Sequence, residues 1–251
     1  MKSTTTWSED WIVPEWPAPE RVGALTTTRR GGVSAGAFSS FNLGAHVGDD
    51  PDAVGRNRAR LVDALGVRPV WLNQTHGTRV VDIGTVENGA PTEADGAVVR
   101  KPGLACAVMT ADCLPVLLCD EASSVVAAAH AGWRGLEAGI LEATVREMRV
   151  PGKKLLAWLG PAIGPRSFEV GKDVFDAFVT RDARSVEAFT ASKKVERWYA
   201  DLYSLARLRL EALGVSKIYG GGFCTLEEAD RFFSYRRDGK TGRMATLIWL
   251  A

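Results

Sequence analysis

Several kinds of chemistry are limited by what this chain has little of. It carries only three histidines in 251 residues, His46, His76 and His130, so any histidine-dependent reaction must draw on these. Four cysteines, Cys106, Cys113, Cys119 and Cys224, are too few and too unevenly spaced for a disulfide scaffold of this length. No apolar run approaches the roughly 18–20 residues that span a bilayer. A charge of one sign is missing too. Thirty-one basic against 30 acidic residues leave +1, so no global field draws in nucleic acid or an anionic membrane. The opening segment MKSTTTWSEDWIVPEW is acidic and dotted with Trp where a signal peptide has an apolar centre, so a cytoplasmic location is expected.

Apolar residues make up 46% of the chain and charged residues 24%, the range of an ordinary soluble globular protein. With no repeat, low-complexity tract or linker, the chain reads as a single catalytic domain over 1–251. Asp49-Asp50-Pro51 opens a helix whose Val54, Leu61 and Leu65 share a face before Gly66 stops it. VWL (70–72) and RVVDI (79–83) read as strands flanking the turn NQTHGT. LACAVM (104–109), LPVLLC (114–119) and SVVAAAH (124–130) read as buried strands, the second started or bulged by Pro115. Leu136, Ile140, Leu141, Thr144, Val145 and Met148 form one helical stripe. LLAWL (155–159) and MATLIWL (244–250) are further strands, with helices expected around 171–180 and 199–213. Elements grouped rather than strictly alternating predict an α+β fold with a mixed-sheet core.

His76 falls in a turn between two strands, Cys113 just before the Pro115 bend, and His130 at a strand end ahead of AGWRG. The spacings of 37 and 17 residues match no local metal signature, so only the fold brings the three together. Taken singly, a strand-end His is a satisfied core residue and an apolar-flanked Cys an inert hydrophobe. All three lie at strand edges beside Gly or Pro, where function tends to be mounted. A His2Cys set gives a catalytic zinc three ligands and one open position, with the pKa of its water brought towards about 7. The same set with a weak axial ligand suits a blue copper. A Cys–His pair without metal suits a nucleophilic thiolate and its base. Arginines beside glycine or small residues, Arg29-Arg30, Arg134 and Arg236-Arg237, are able to fork onto phosphate, with Arg29 and Arg134 the candidates. GxxxxGK[ST] is absent, which excludes a P-loop, and so is GxGxxG. Trp133, Phe232, Phe233 and Tyr235 offer rings for stacking or for the core, and GGG at 220–222 reads as a turn.

In order, FNLGAHVGDDP, NQTHG, TADCLPVLLCD, AAHAGWRG, LGPAIGP and FFSYRRDGKTGRMATLI resemble one bacterial family. It is the peptidoglycan-editing-factor family, also called polyphenol-oxidase or laccase-domain proteins and now described as purine nucleoside phosphorylases. The resemblance runs from about residue 22 to the C-terminus and places the family's zinc ligands on His76, Cys113 and His130. It implies an α/β/β/α sandwich related to cysteine-hydrolase-like domains. It also implies zinc-dependent phosphorolysis of adenosine, inosine, guanosine and methylthioadenosine, with adenosine deamination in the same site. A second activity attributed to the family, an amidase removing L-serine from UDP-MurNAc-L-Ser, would make a UDP-MurNAc-amino acid the partner. The copper-dependent polyphenol oxidase label fits the residues poorly. A trinuclear copper cluster is built mostly from histidines, and once His76 and His130 are used only His46 remains; a single Cu2+ bound in vitro is all the set offers. The zinc-deaminase pattern H-x-E with P-C-x-x-C is missing, so deamination here needs a different scaffold. A module that only binds nucleotide or wall precursor has no need of three metal ligands.

Overall fold

The computed structural model describes residues 8–85 and 92–251, so the first seven residues of the segment that argued against a leader lie outside the described residues. In chain order come β1 (Val22–Thr26), α1 (Pro51–Leu65), β2 (Arg68–Val70), β3 (Leu72–Asn73), β4 (Val80–Asp82), β5 (Thr92–Glu93) and β6 (Gly96–Val99). Then follow β7 (Leu104–Thr110), β8 (Leu114–Asp120), β9 (Val126–Ala131), α2 (Trp133–Ala138), α3 (Ile140–Met148), β10 (Leu155–Leu159), β11 (Glu169–Gly171) and α4 (Lys172–Arg181). The chain closes with β12 (Phe189–Ala191), β13 (Arg197–Ala200), α5 (Leu202–Ala212), β14 (Lys217–Gly220), α6 (Tyr235–Asp238) and β15 (Met244–Leu250).

Two mixed sheets dominate. One has the order β1-β15-β7-β2 and the other β14-β10-β8-β9-β6-β4, with small sheets β11-β13-β12 and β3-β5 beside them. The side-chain period of two explains the layering. Ala105, Ala107, Ala245, Leu247 and Trp249 face α1 through Leu61 and Leu65. The alternate residues Cys106, Val108, Ile248 and Leu250 meet Leu117, Cys119, Val126, Ala128, Leu156 and Trp158 of the larger sheet. The opposite face of that sheet, with Val116, Leu118, Ala127, Ala129 and Ala157, packs on Leu136, Ile140, Leu141, Leu205 and Leu210. The layers therefore run helix, sheet, sheet, helix. Strands covered on both faces read as continuous apolar runs, and that is how they stood out in the sequence.

The expected strands at 104–109, 114–119, 155–159 and 244–250 form within one residue of their bounds. Pro115 is the second residue of β8, a strand start rather than a bulge. The helix expected from Pro51 is there, with Asp50 accepting from the Asp52 amide and Gly66 closing it at φ 66°. The helical stripe from Leu136 is cut in two at Gly139, where φ is 107° and an L side chain would be strained. The expected helix over 199–213 loses its first residues to β13 because Asp201 caps α5, accepting from the Tyr203 and Ser204 amides. Among the described residues, no helix is long and apolar enough to cross a membrane.

Leu117 is fully buried between the two sheets. Leu117→Ala should lower the unfolding free energy by about 2–5 kcal/mol, read from denaturant melts. An unchanged midpoint would contradict the inter-sheet core described here.

Candidate active site

The registers of β6, β9 and β8 bring the candidate residues together. Pro115 pairs with His130 across β8 and β9, and Gly96 pairs with Ala129 across β6 and β9. Continuing the antiparallel register sets Asp95 opposite His130, and the His130 amide donates to the Asp95 carbonyl at 2.7 Å. Cys113, one residue before β8, and His130 share the face that points towards the second sheet, by the alternation of their strands. The turn between β3 and β4 carries His76 to the same place, with φ 60° at His76 itself. The result is that one ligand atom each from His76, Cys113 and His130 lies within 4.8 Å of the others. Cys113 Sγ is 3.8 Å from His76 Nε2, and the two imidazoles meet edge to face with centroids 4.8 Å apart.

The Asp95 carboxylate organises all of this. It accepts from the amides of Thr75, His76 and Gly77 at 2.7–3.1 Å, from the Thr75 hydroxyl, and from His130 Nδ1 at 2.8 Å. Burial pushes the Asp95 carboxyl up, but hydrogen bonds from His130, Gly77 and Thr75 bring it down to about 2. It is therefore ionised, His130 Nδ1 carries the proton donated to it, and Nε2 is left to turn towards Cys113. Burial also pushes the Cys113 thiol up, and the His130 and His76 rings overcome this to bring it to about 6. Desolvation alone would lower His130, whereas the Cys113 thiolate and Asp95 raise it to about 9. Cys106 and Cys119, with no such partners, have thiols pushed well above the ordinary range by burial.

The set fits a metal ion. Two imidazole nitrogens and a thiolate leave a tetrahedral site one open position, and they stand close enough together to share one ion. Gly132 supplies the space. A Cβ added there would come within 3.0 Å of both Cys113 Sγ and His76 Cδ2.

These three residues line a cleft of about 360 Å3. Trp133, Arg134, Tyr235 and Arg236 line it, as do Thr110 and Arg243 from the ends of the smaller sheet. Asp112, at φ 96°, braces the wall by accepting from the Thr225 hydroxyl at 2.6 Å and the Arg236 amide at 2.7 Å.

A family model described as a multi-copper polyphenol oxidoreductase laccase matches residues 23–251. The chain belongs to this family. A protein of Pseudomonas aeruginosa named purine nucleoside phosphorylase is 56% identical over 240 residues, covering 96% of this chain and 98% of its own. A protein of Escherichia coli with the same name is 54% identical over 241 residues, covering 95% and 98%. The crystal structure of a Neisseria meningitidis protein superposes with a TM-score of 0.94 at 53% identity, covering 96% of this chain and 99% of that one. YlmD of Geobacillus stearothermophilus superposes at 0.89 with 32% identity, covering 97% of each chain.

Within this laccase-like member, His76, Cys113, His130 and Arg134 stand in one cleft. Arg29 does not join them. Its guanidinium donates to the Ser39 and Ala229 carbonyls at 3.0 Å and lies over the Phe233 ring, beside a separate depression. Phe232 and Phe233 are core residues with no exposure, while Trp133 and Tyr235 line the cleft. Asp95, Asp112 and Arg243 were missed by sequence reasoning. Arg243 carried the same signal as Arg29-Arg30, arginine in a glycine-bearing loop, whereas a lone Asp in EADG gives no sign of five donors.

The thiolate is the reactive form of cysteine. In metal-free protein, alkylation of Cys113 should rise through about pH 6 and level off above it, while Cys106 and Cys119 stay unmodified. Removing the His130 cation in His130→Ala takes away what holds the thiol down, so the inflection moves to higher pH. Mass mapping of the modified peptide reads both effects, and a wild-type inflection near about 8.5 would contradict the coupling.

Proposed function

We propose that the chain is a zinc-dependent purine nucleoside phosphorylase, a cytoplasmic enzyme working as one catalytic domain over 1–251, which also deaminates adenosine in the same cleft. The observation that carries this reading is the convergence of His76, Cys113 and His130 in a cleft rimmed by arginines. The names of the relatives support it. Adenosine, inosine, guanosine and methylthioadenosine are the expected nucleosides. Zinc held by the three ligands would supply Lewis acidity at the open position for activating water at neutral pH. Asp95 keeps His130 in the tautomer whose Nε2 is free to ligate. Trp133 and Tyr235 give the cleft aromatic surface against which a flat base can pack. The cationic rim, Arg134 among it, draws phosphate into the cleft, where one of its oxygens meets ribose C1′. Phosphorolysis then forms the C1′–O bond as the C1′–N9 bond breaks, and the departing purine takes up a proton. Deamination replaces the C6 amino group with oxygen from water, releases ammonia, and does not involve phosphate.

A second reading has its own observation. Cys113, His130 and Asp95 stand in sequence as thiolate, imidazole and orienting carboxylate, the arrangement of a metal-free cysteine hydrolase. That arrangement favours amide hydrolysis by a thiolate, and an amidase acting on UDP-MurNAc-L-Ser is the form of it to test. Serine release by metal-stripped protein would favour this reading over the first.

Adenosine should give adenine only when phosphate is present, while inosine formation proceeds without it. Chromatography of the products distinguishes the two reactions, and adenine release at equal rate in phosphate-free buffer would replace phosphorolysis by hydrolysis.

The family's copper label is tested by dividing one stripped preparation and reloading it with zinc or with copper. A third histidine, His46, lines the same cleft, and the chain has no further histidine for a trinuclear cluster. The zinc form should turn over adenosine and leave phenols untouched, while the copper form oxidises phenol weakly. Rapid phenol oxidation by the copper form, with oxygen reduced to water and no purine turnover by the zinc form, would restore the oxidase.

A further inference from the structure

The cleft has a second wall. Thr110 ends β7 and pairs with Met244 at the start of β15, so Thr110 and Arg243 are neighbours at the end of the smaller sheet. The segment 42–46, part of the FNLGAHVG motif, threads between Arg243 and Arg58. The Arg243 amide donates to Asn42 Oδ1, Arg58 donates twice to the Leu43 carbonyl, and a Cβ at Gly44 would strike Arg243 Cγ at 2.8 Å. The segment places His46 in the cleft.

Three features of this wall call for an anion. Among the described residues, no carboxylate lies within ion-pair distance of Arg58 or Arg243, although both are partly buried. A partly buried cation without a counter-charge is costly, and the cost falls when an anion arrives. Arg243 Nη1 is spent on the Thr241 and Gly242 carbonyls at 3.0 Å, whereas Nε and Nη2 donate to no acceptor among the described residues. Thr110 is 2% exposed and lines the cleft, yet its hydroxyl has no hydrogen-bond partner. The neighbouring Gln74 amide, by contrast, is fully paired with the Met109 backbone. The other cleft arginines are less suited. Arg134 is exposed and stacked on the Trp133 ring, and Arg236 is exposed and donates to the Glu169 carbonyl.

We propose that His46, Thr110 and Arg243 form an oxyanion subsite, backed by Arg58, whose ligand is inorganic orthophosphate. The identification of that phosphate as co-substrate rests on the phosphorylase reading; the subsite does not. Arg243 gives a guanidinium fork, Thr110 a hydroxyl, and His46 a ring N–H, three donors of different reach for one tetrahedral anion.

Orthophosphate titrated calorimetrically into the full chain as purified is the direct probe, alongside the phosphate KM for adenosine phosphorolysis. Arg243→Met should raise both by about tenfold or more, with kcat changed less. Thr110→Val is the sharper variant, since deleting an unpaired buried hydroxyl leaves the fold at least as stable. It should still weaken phosphate by about three- to tenfold, which a merely structural threonine would not do. Arg149→Met, at the far end of α3, controls for lost charge and should bind as wild type. Unchanged orthophosphate affinity in both Arg243→Met and Thr110→Val overturns the subsite. So does a loss confined to adenosine 5′-monophosphate, which would make the ligand a nucleotide's phosphate. Wild-type protein that binds orthophosphate through Arg243 but releases no adenine would instead overturn the phosphorylase reading and leave the subsite standing.

Discussion

Asp95 lies fully buried at the entrance to β6 and takes five hydrogen bonds, three from successive backbone amides of the His76 turn. A lone carboxylate in that position would cost several kcal/mol in desolvation, so its donors must all be present together. The left-handed backbone at His76 is one consequence, because it aims the amides of residues 75–77 at one anion. The His130 tautomer is another. The folded-state carboxyl lies below its ordinary value, so its contribution to stability is present above the usual carboxylate range and is lost as pH falls towards about 2. Two histidines far apart in sequence are thereby fixed by one side chain outside the His76, Cys113 and His130 set.

The contrast among the cysteines follows from the same local field. Cys106, Cys113 and Cys119 all belong to the apolar strand region, and composition treats them alike. Cys113 differs because it precedes its strand by one residue, where Gly132 opens space and two imidazoles face it. Position in the register, rather than residue type, makes one thiol a candidate ligand and leaves two as packing.

Much of the frame was legible because strands covered on both faces leave unbroken apolar runs, and Asp50, Pro51 and Gly66 punctuate α1. The small sheet β11-β13-β12 was not legible, since strands of three or four residues carry no periodicity to read. His76, Cys113 and His130 could be chosen because histidine is scarce and each stands at a strand edge. Arg134 was chosen and lines the cleft, but nothing in the sequence separates Arg29 from Arg243. Arg29 and Arg243 both follow the same glycine rule, and only the pairing of β15 with β7 sends one to the cleft while loop carbonyls capture the other.

The cleft straddles two sheets, with His76, Cys113 and His130 at the strand ends of one and Arg243 and Thr110 at the strand ends of the other. Stacked sheets keep a spacing of about 10 Å, set by the side chains between them. The interleaved Val108, Leu117, Ile248 and Val126 thus act as a gauge block for the opening. A change of volume in that dry layer alters the span between the two walls without touching any residue that meets substrate. Selection for a longer or shorter ligand can therefore work through the thickness of the core as well as through the loops at its mouth.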